Sequence, residues 1–498
     1  MFLGCLRLYV EIEPCPSVLA LAIGIVESYK KPEKGIYARF VRERNWTTMK
    51  VAGRWTSKVP TSRLQPLAQK AALAGVWIGL AELSDGSPVS AVSGAPRPDQ
   101  ELARVLVRLH GAPVGYVSLP LRPEVTLAER VRDAAESSLA ASLDHHLRQD
   151  AAADAAAATP EWGGQVGCPE RFRHDAAGIS IVVCTRDRPD VLQECLRELV
   201  LVKYAPLEIL VVDNAPTGDV TKKVVSELAE EDPRVRYTCE PQPGLSRARN
   251  HGMAEAKFDL VAFTDDDVLV DAGWPAALAA GFAADPDAAC MTGLVASRSL
   301  DTSAEFYFDS RYSWGESFAP RRYDLGAHRD SSAIYPFSAG IFGTGANFAV
   351  RRSEIVRLGG FDPLLGAGSP SRGGEDLDIF VRVILSGGRL CYLPAALVWH
   401  RHRASETALA EQVFDYGFGL GAYLAKRMMR GEVTVVTLVC GLGRLAFLAG
   451  RMRDATKASQ FKGRGLRLAI SEAWGIGVGA LRYWRIARQQ RAQMSHAR

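Results

Sequence analysis

The chain has 498 residues, 47% of them hydrophobic and 23% charged, the proportions of an ordinary globular protein. They exclude a collagenous or wholly disordered chain, and at about 100–200 residues per domain the length suits roughly three units. The net charge of +4 singles out no partner. Its distribution does: from residue 421 onward 15 Lys/Arg face 3 acids (Glu432, Asp454, Glu472), whereas the preceding stretch is net acidic. A basic tail on an acidic body suits an anionic surface such as lipid headgroups, nucleic acid or another protein; the plainer alternative is a solvated helix face.

Residues 1–70 carry no interpretable pattern. The apolar run Ser17–Val26 follows Glu11 and Glu13, which is not the basic start of a secretory signal. Residues 71–150 suggest a small α/β unit: a strand over Val76–Leu83, a turn at Asp85-Gly86, helical spacing over Gln100–Leu109, a strand over Pro113–Leu119 and one long helix over Leu127–Leu147. The alanine-rich stretch 151–177 reads as a linker. Nine cysteines without CxxC pairing are no disulfide or zinc framework. Cys184, Cys239 and Cys391 lie in apolar runs and read as small buried hydrophobes in a reducing compartment.

Between 178 and 410 apolar strands alternate with helical patterns: Ile179–Thr185, Pro189–Val200, Leu207–Val212, Lys222–Glu230, Val235–Cys239, Ser246–Ala256 and Leu260–Phe263. Such alternation indicates parallel βαβ units with both sheet faces covered, and ligands lie off the carboxyl ends of such strands. Polar residues do follow the strands: Thr185-Arg186-Asp187, Asp213-Asn214 and Asp265-Asp266-Asp267. In an extended strand end Asp265 and Asp267 share one side, and two hard oxygen ligands suit Mg²⁺ or Mn²⁺. A solvated acidic loop, or capping of a helix starting near Trp274, is the bland alternative. Gly244 opens a helix with Arg247 and Arg249 in its first turns, suited to a diphosphate. Ser371–Asp378 leads into the helix-like Ile379–Leu385, so Glu375 and Asp376 are either ordinary N-terminal helix acids or a general base at the ligand edge. His400, after the strand Leu390–Leu393, is a candidate third metal ligand.

Beyond 410 the tail is basic. Val433–Ala449 is apolar but interrupted by Arg444, which is disfavoured by about 2.5–3.5 kcal/mol at the centre of a span; it reads as a buried or interfacial helix.

Taken together, Ile-Val-Val-Cys-Thr-Arg-Asp-Arg-Pro from Ile181, Val-Val-Asp-Asn, Gly244–Asn250, Asp-Asp-Asp, Gly343–Asn347 and Gly374-Glu375-Asp376 resemble the family 2 glycosyltransferases, over residues 178–403. The resemblance implies an α/β, GT-A type Rossmann-like mixed sheet flanked by helices, and transfer with inversion from a nucleotide-sugar donor. By position it implies that Thr185, Arg186, Asp213 and Asp265 hold the nucleoside end of the donor, with Arg247, Arg249 and Asn250 on the diphosphate side. Asp265, Asp267 and His400 would hold Mg²⁺ or Mn²⁺. Gly345, Asn347 and Glu375 would shape the sugar and acceptor pocket, and Asp376 would be the base.

No Gln-x-x-Arg-Trp motif follows the base, so single-sugar transfer to a saccharide, lipid-linked or small-molecule acceptor is expected. The expected location is cytoplasmic, with the tail offering attachment to the inner face of the cell membrane. The aromatics and arginines of residues 297–335, including Tyr312, Trp314 and Tyr323, read as an acceptor-facing region. A nucleotidyltransferase is the second reading, opposed by the absence of glycine in Cys184–Pro189. A non-catalytic nucleic-acid-binding protein is the third, without any supporting motif, and no nucleic acid is expected as partner.

Overall fold

A small sheet is built first, by the strands β1 (Trp77–Glu82), β2 (Ser90–Ala91), β3 (Leu102–Leu109) and β4 (Ala112–Pro120) in the order β2-β1-β3-β4. The computed structural model describes residues 75–121, 126–156, 177–312, 317–332, 334–338, 340–434 and 464–496. Residues 1–70, most of the alanine-rich linker, Trp314 and the apolar run beyond 434 therefore lie outside the described residues. Gln100–Leu109, expected to be helical, is largely strand: β3 pairs in parallel with β1 and antiparallel with β4. As a central strand covered on both faces it is apolar almost throughout, which hides the alternation that marks a half-buried strand. The single helix expected over Leu127–Leu147 is two, α1 (Leu127–Ser138) and α2 (Ala140–Ala156). They part at Leu139, whose side chain lies on Gly115 of β4, where a Cβ would come within 2.6 Å of it.

The large sheet comprises β5 (Ile179–Thr185), β6 (Leu207–Asn214), β7 (Val235–Glu240), β8 (Leu260–Asp265), β9 (Val268–Val270), β10 (Ala288–Ser297), β11 (Arg321–Tyr323), β12 (Asn347–Arg351) and β13 (Arg389–His400). Its order is β11-β13-β10-β12-β8-β5-β6-β7, with β9 on β13. The run β8-β5-β6-β7 is parallel, and β12 enters antiparallel between β8 and β10. The carboxyl ends of β5, β6, β8, β10 and β13 and the start of β12 thus share one rim.

Helices cover both faces. α3 (Pro189–Leu201), α4 (Val220–Glu231) and α6 (Trp274–Ala284) bury Leu192, Leu196, Val225, Trp274 and Phe282 on one. α5 (Leu245–Glu255) and α9 (Glu375–Leu385) bury Ala248, Met253, Ile379, Phe380 and Ile384 on the other. Cys391 is buried and Cys184 half-buried, but Cys239 is exposed, because β7 is an edge strand. The remaining described helices are α7 (Ser303–Tyr312), α8 (Arg352–Arg357), α10 (Glu406–Met429) and α11 (Arg464–His496).

α10 and α11 run side by side in the same direction, Gly417 of α10 against Glu472 and Gly421 against Ile476. Gly475 and Gly479 of α11 abut the backbone of Phe414 and Phe418 in turn, so small residues on both helices permit the approach. Among the described residues no helix is long and apolar enough to cross a membrane.

Candidate active site

The parallel register aligns the polar strand ends: Thr185 sits opposite Asp213, Cys184 opposite Asp265 and Asp213 opposite Cys239. After Asp265 the strand turns, and the three aspartates diverge. Asp266 is buried, accepting from Thr185 Oγ1 at 2.7 Å and Arg188 Nη1 at 2.5 Å. Arg188 also reaches Asp267 Oδ2 at 3.0 Å. Asp267 Oδ1 lies 3.6 Å from His400 Nε2, and Asp265, Asp267 and His400 each present a ligand atom within 4.8 Å of the others.

Two carboxylate oxygens and one imidazole nitrogen fit Mn²⁺ or Mg²⁺. For His400 and Asp267 the protonation states suit that use. Burial holds His400 below its ordinary range, so the ring is neutral at pH 7 with a lone pair to offer. For Asp267 burial is outweighed by His400 and by Arg188, which stays charged at neutral pH, and the carboxyl lies below its ordinary value. Burial, with repulsion from Asp267 and Asp266, pushes Asp265 up against the pull of Arg249.

The second half of the site stands at the start of α9. Gly374, at φ 84°, is its N-cap, and a Cβ there would come within 2.6 Å of the Gly419 carbonyl of α10. Only glycine admits both the left-handed turn and that approach. Asp376 follows in the first turn: its Oδ2 accepts from Gly345 N at 2.9 Å and its Oδ1 from Leu377 N at 2.8 Å. Glu375 is buried and accepts from Arg249 Nη1 at 2.9 Å; burial and Asp376 push its carboxyl up, against Arg249.

Two cavities meet at these residues. One, of about 550 Å³, is lined by Thr185, Arg186, Arg188, Asn214 and all three aspartates. The other, of about 360 Å³, is lined by Gly345, Glu375, Asp376, Tyr312 and Glu472. Asp265, His400, Arg372, Asp415 and Tyr416 line both. Volumes of this order suit small-molecule ligands.

Other expected residues stand differently. Arg249 is buried yet lines the second cavity, with Nη2 on the Gly345 carbonyl at 2.9 Å and 3.6 Å from Asp265, so it ties the two halves together from beneath. Asn250 holds the chain at Phe361, donating to its carbonyl and accepting from its amide, both at 2.8 Å. Arg247 is half-buried and lines neither cavity. Asn347 is not in the pocket but fully buried: it donates to the Leu294 and Ala396 carbonyls and accepts from Trp274 Nε1, joining β12 to β10, β13 and α6. Its place at the head of a short antiparallel strand between two longer ones explains this, because the strands crowd there. Asp213 is buried with Oδ2 accepting from Tyr237 at 3.1 Å, and burial pushes its carboxyl up. Its Oδ1 has no hydrogen-bond partner among the described residues.

Sequence reasoning missed Arg188, the clamp on Asp266 and Asp267, although it stands three residues past the end of β5. It also missed Asp415, Tyr416 and Glu472, whose elements return from far along the chain. Arg311 of α7 pairs with Glu472 of α11, so the C-terminal helix helps to wall the second cavity.

A Rossmann-like sheet with a polar, cation-suited rim is the class that fold and site define. The chain belongs to glycosyl transferase family 2: the family described as "Glycosyl transferase family 2" matches residues 180–340. It is 30% identical over 257 residues to the succinoglycan biosynthesis protein ExoM of Rhizobium meliloti, spanning 50% of this chain and 76% of that protein. It is 29% identical over 238 residues to a pre-mycofactocin glycosyltransferase of Mycobacterium tuberculosis, spanning 48% of this chain but 42% of that protein, less than half its length. Among solved structures, the mannosyltransferase PcManGT from Pyrobaculum calidifontis, in complex with GDP-Man and Mn²⁺, is similar with a TM-score of 0.40 and 19% identity over 69% of this chain and 94% of that one.

Proposed function

We propose that the protein transfers a single glycosyl unit from a nucleotide-diphosphate sugar to an acceptor hydroxyl, with inversion at the anomeric carbon. The observation that carries this reading is the meeting of the two cavities at Asp265 and His400, with the Asp265–Asp267–His400 cluster facing one and Asp376 the other. The donor's nucleoside would occupy the larger cavity, beside Thr185, Arg186 and Asn214, whereas Asp213 is buried behind them and lines neither cavity. Asp265, Asp267 and His400 would hold a divalent cation, whose chemistry is to offset the charge that develops on the departing diphosphate.

Asp376 takes the proton of the acceptor hydroxyl as its oxygen bonds to the anomeric carbon. The bond to the diphosphate breaks on the opposite face, and its electron pair leaves with the nucleoside diphosphate. The two backbone amides on Asp376 fix the carboxylate's orientation, and Arg249 supports it through Glu375 and Gly345. Family membership favours this reading over nucleotidyl transfer and over a binding role. A thermal-shift screen of UDP, GDP and dTDP with Mn²⁺ tests the donor half. One nucleotide is expected to raise the melting temperature only with Mn²⁺ present, and Asp267→Asn to remove that rise. A full rise in EDTA, or in the variant, contradicts the cation's role.

We further propose that the tail rests on an anionic lipid surface, at the inner face of the cell membrane. Leu466, Ile470, Trp474, Leu481 and Trp484 are exposed along α11 at helical spacing, with exposed Arg467, Arg485, Arg488 and Arg491 among them. The Arg488 guanidinium lies 4.6 Å from the centre of the Trp484 ring. Each arginine near an anionic surface contributes about 1 kcal/mol, and the apolar residues add insertion. The protein is expected to sediment with phosphatidylglycerol vesicles and not with phosphatidylcholine vesicles, and Trp474→Ala with Trp484→Ala to release it. Equal recovery with both vesicle types, or undiminished binding by the double variant, would refute the lipid surface.

A further inference from the structure

The small sheet carries a second cluster of ligating side chains, remote in sequence from the rim. His110 forms the tip of the β3–β4 hairpin, held at φ 54° with Gly111 at 81°. Their amides donate to the two oxygens of Glu82, each at 3.0 Å, so the tip is fixed in this shape from below. His146 and Asp150 stand one turn apart on α2, both side chains largely buried, and face the hairpin tip. His110 Nδ1 is 2.8 Å and His146 Nε2 is 3.4 Å from the same oxygen, Asp150 Oδ2. The three ligand atoms lie within 4.8 Å of one another, and the two rings are tilted with centroids 5.6 Å apart.

We propose that His110, His146 and Asp150 form a binding site for a d-block divalent cation of the zinc type, which staples α2 to the hairpin. A histidine–aspartate hydrogen bond needs only one ring. Here two imidazoles from separate elements converge on one carboxylate oxygen, the arrangement a shared cation organises. Ligand atoms about 2.0–2.1 Å from a tetrahedral ion stand about 3.3–3.4 Å apart. The His146–Asp150 separation already matches, and the His110–Asp150 separation would open by about half an ångström. Two nitrogens and one oxygen form a borderline set that favours zinc over magnesium, in contrast to the oxygen-dominated cluster on the rim.

α2 also gains from such a staple. Seven of its 17 residues are alanine, and Leu147 is exposed, so it brings little apolar surface to the sheet. His146 and Asp150 lie on its inner side, where a cation would fasten the helix that packing holds only lightly.

The test uses the full chain with Asp265→Asn and Asp267→Asn in the background, so that uptake at the rim is removed. After EDTA stripping and dialysis, titration calorimetry with ZnCl₂ is expected to show one tight site, and zinc to raise the melting temperature. Adding His110→Ala and His146→Ala should weaken that site at least tenfold and abolish the thermal shift. Asp150→Asn, which keeps the size of the side chain, should weaken it as well and guards against misfolding of the double variant. Cobalt in place of zinc should give the visible absorption of a tetrahedral site, lost in Asp150→Asn. Equal zinc affinity with and without His110 and His146, or no tight site in the parent, would overturn the proposal.

Discussion

Asp378 shows how one residue can hold a site it never touches. It follows Asp376 by two positions on α9, is fully buried, and accepts from Arg382 Nε at 2.8 Å, Lys426 Nζ at 2.8 Å and Arg427. Burial alone would push its carboxyl up, but Lys426, Arg427 and Arg382 outweigh it and hold it below the ordinary 3.8. A carboxyl depressed in the folded state contributes its stabilisation fully above the unfolded value and loses it as pH falls through the lower, folded value. Asp378→Asn leaves the buried Arg427 with Glu432 alone and Lys426 with Asp362 alone, at a cost below the about 3–5 kcal/mol of a wholly unpaired buried charge. Urea unfolding at pH 7 should show that loss, and the gap between parent and variant should narrow below about pH 4. A gap unchanged by acid would mean that the charge of Asp378 is not what holds α9 to α10.

At the scale of elements, the wall of the second cavity depends on how closely α10 and α11 approach. A Cβ on Gly421 would lie 2.0 Å from the Ile476 carbonyl, a clash with backbone that no rotamer relieves. Gly477, on the exposed side of α11, has nothing within 4 Å of its Cβ position. Alanine in a helix is favoured over glycine by about 1 kcal/mol, so the two substitutions should act in opposite directions. Gly421→Ala should lower the melting temperature by several degrees and open α11 to trypsin at Arg467 and Arg482. Gly477→Ala should leave both unchanged or slightly improved. Similar behaviour of the two variants would show that helix contact does not seat Glu472 in the cavity.

Across the whole molecule, what was legible in the sequence was what is local. The strands β5, β6 and β8 announce themselves as apolar runs, and the polar residues that end them lie on one rim because parallel register puts them there. Asp265 and Asp267 do come together, but through the turn that follows Asp265 and not along an extended strand end, and His400 joins them because β13 runs parallel to β10 and ends on the same rim. What the sequence concealed depends on pairing at long range. β12 is short and antiparallel, so nothing nearby reveals that Asn347 is clamped between β10 and β13 rather than facing a pocket. Arg249 has the sequence signature of an anion-binding helix start, but its true partners, Glu375 and Gly345, lie about a hundred residues further on. The central strand β3 is apolar on both faces, so its spacing mimics a helix.

The proposed mechanism divides the labour between the two cavities, donor and cation in one, base in the other. Asp376→Asn separates them, because it removes the base while leaving Asp265, Asp267 and His400 in place. Paired measurement of nucleotide–Mn²⁺ binding by calorimetry and of nucleoside diphosphate release in the presence of acceptor is the most direct test. The expected result is unchanged binding with transfer reduced by about 10²–10⁴-fold; near-normal transfer by the variant, or loss of nucleotide binding together with transfer, would contradict the account.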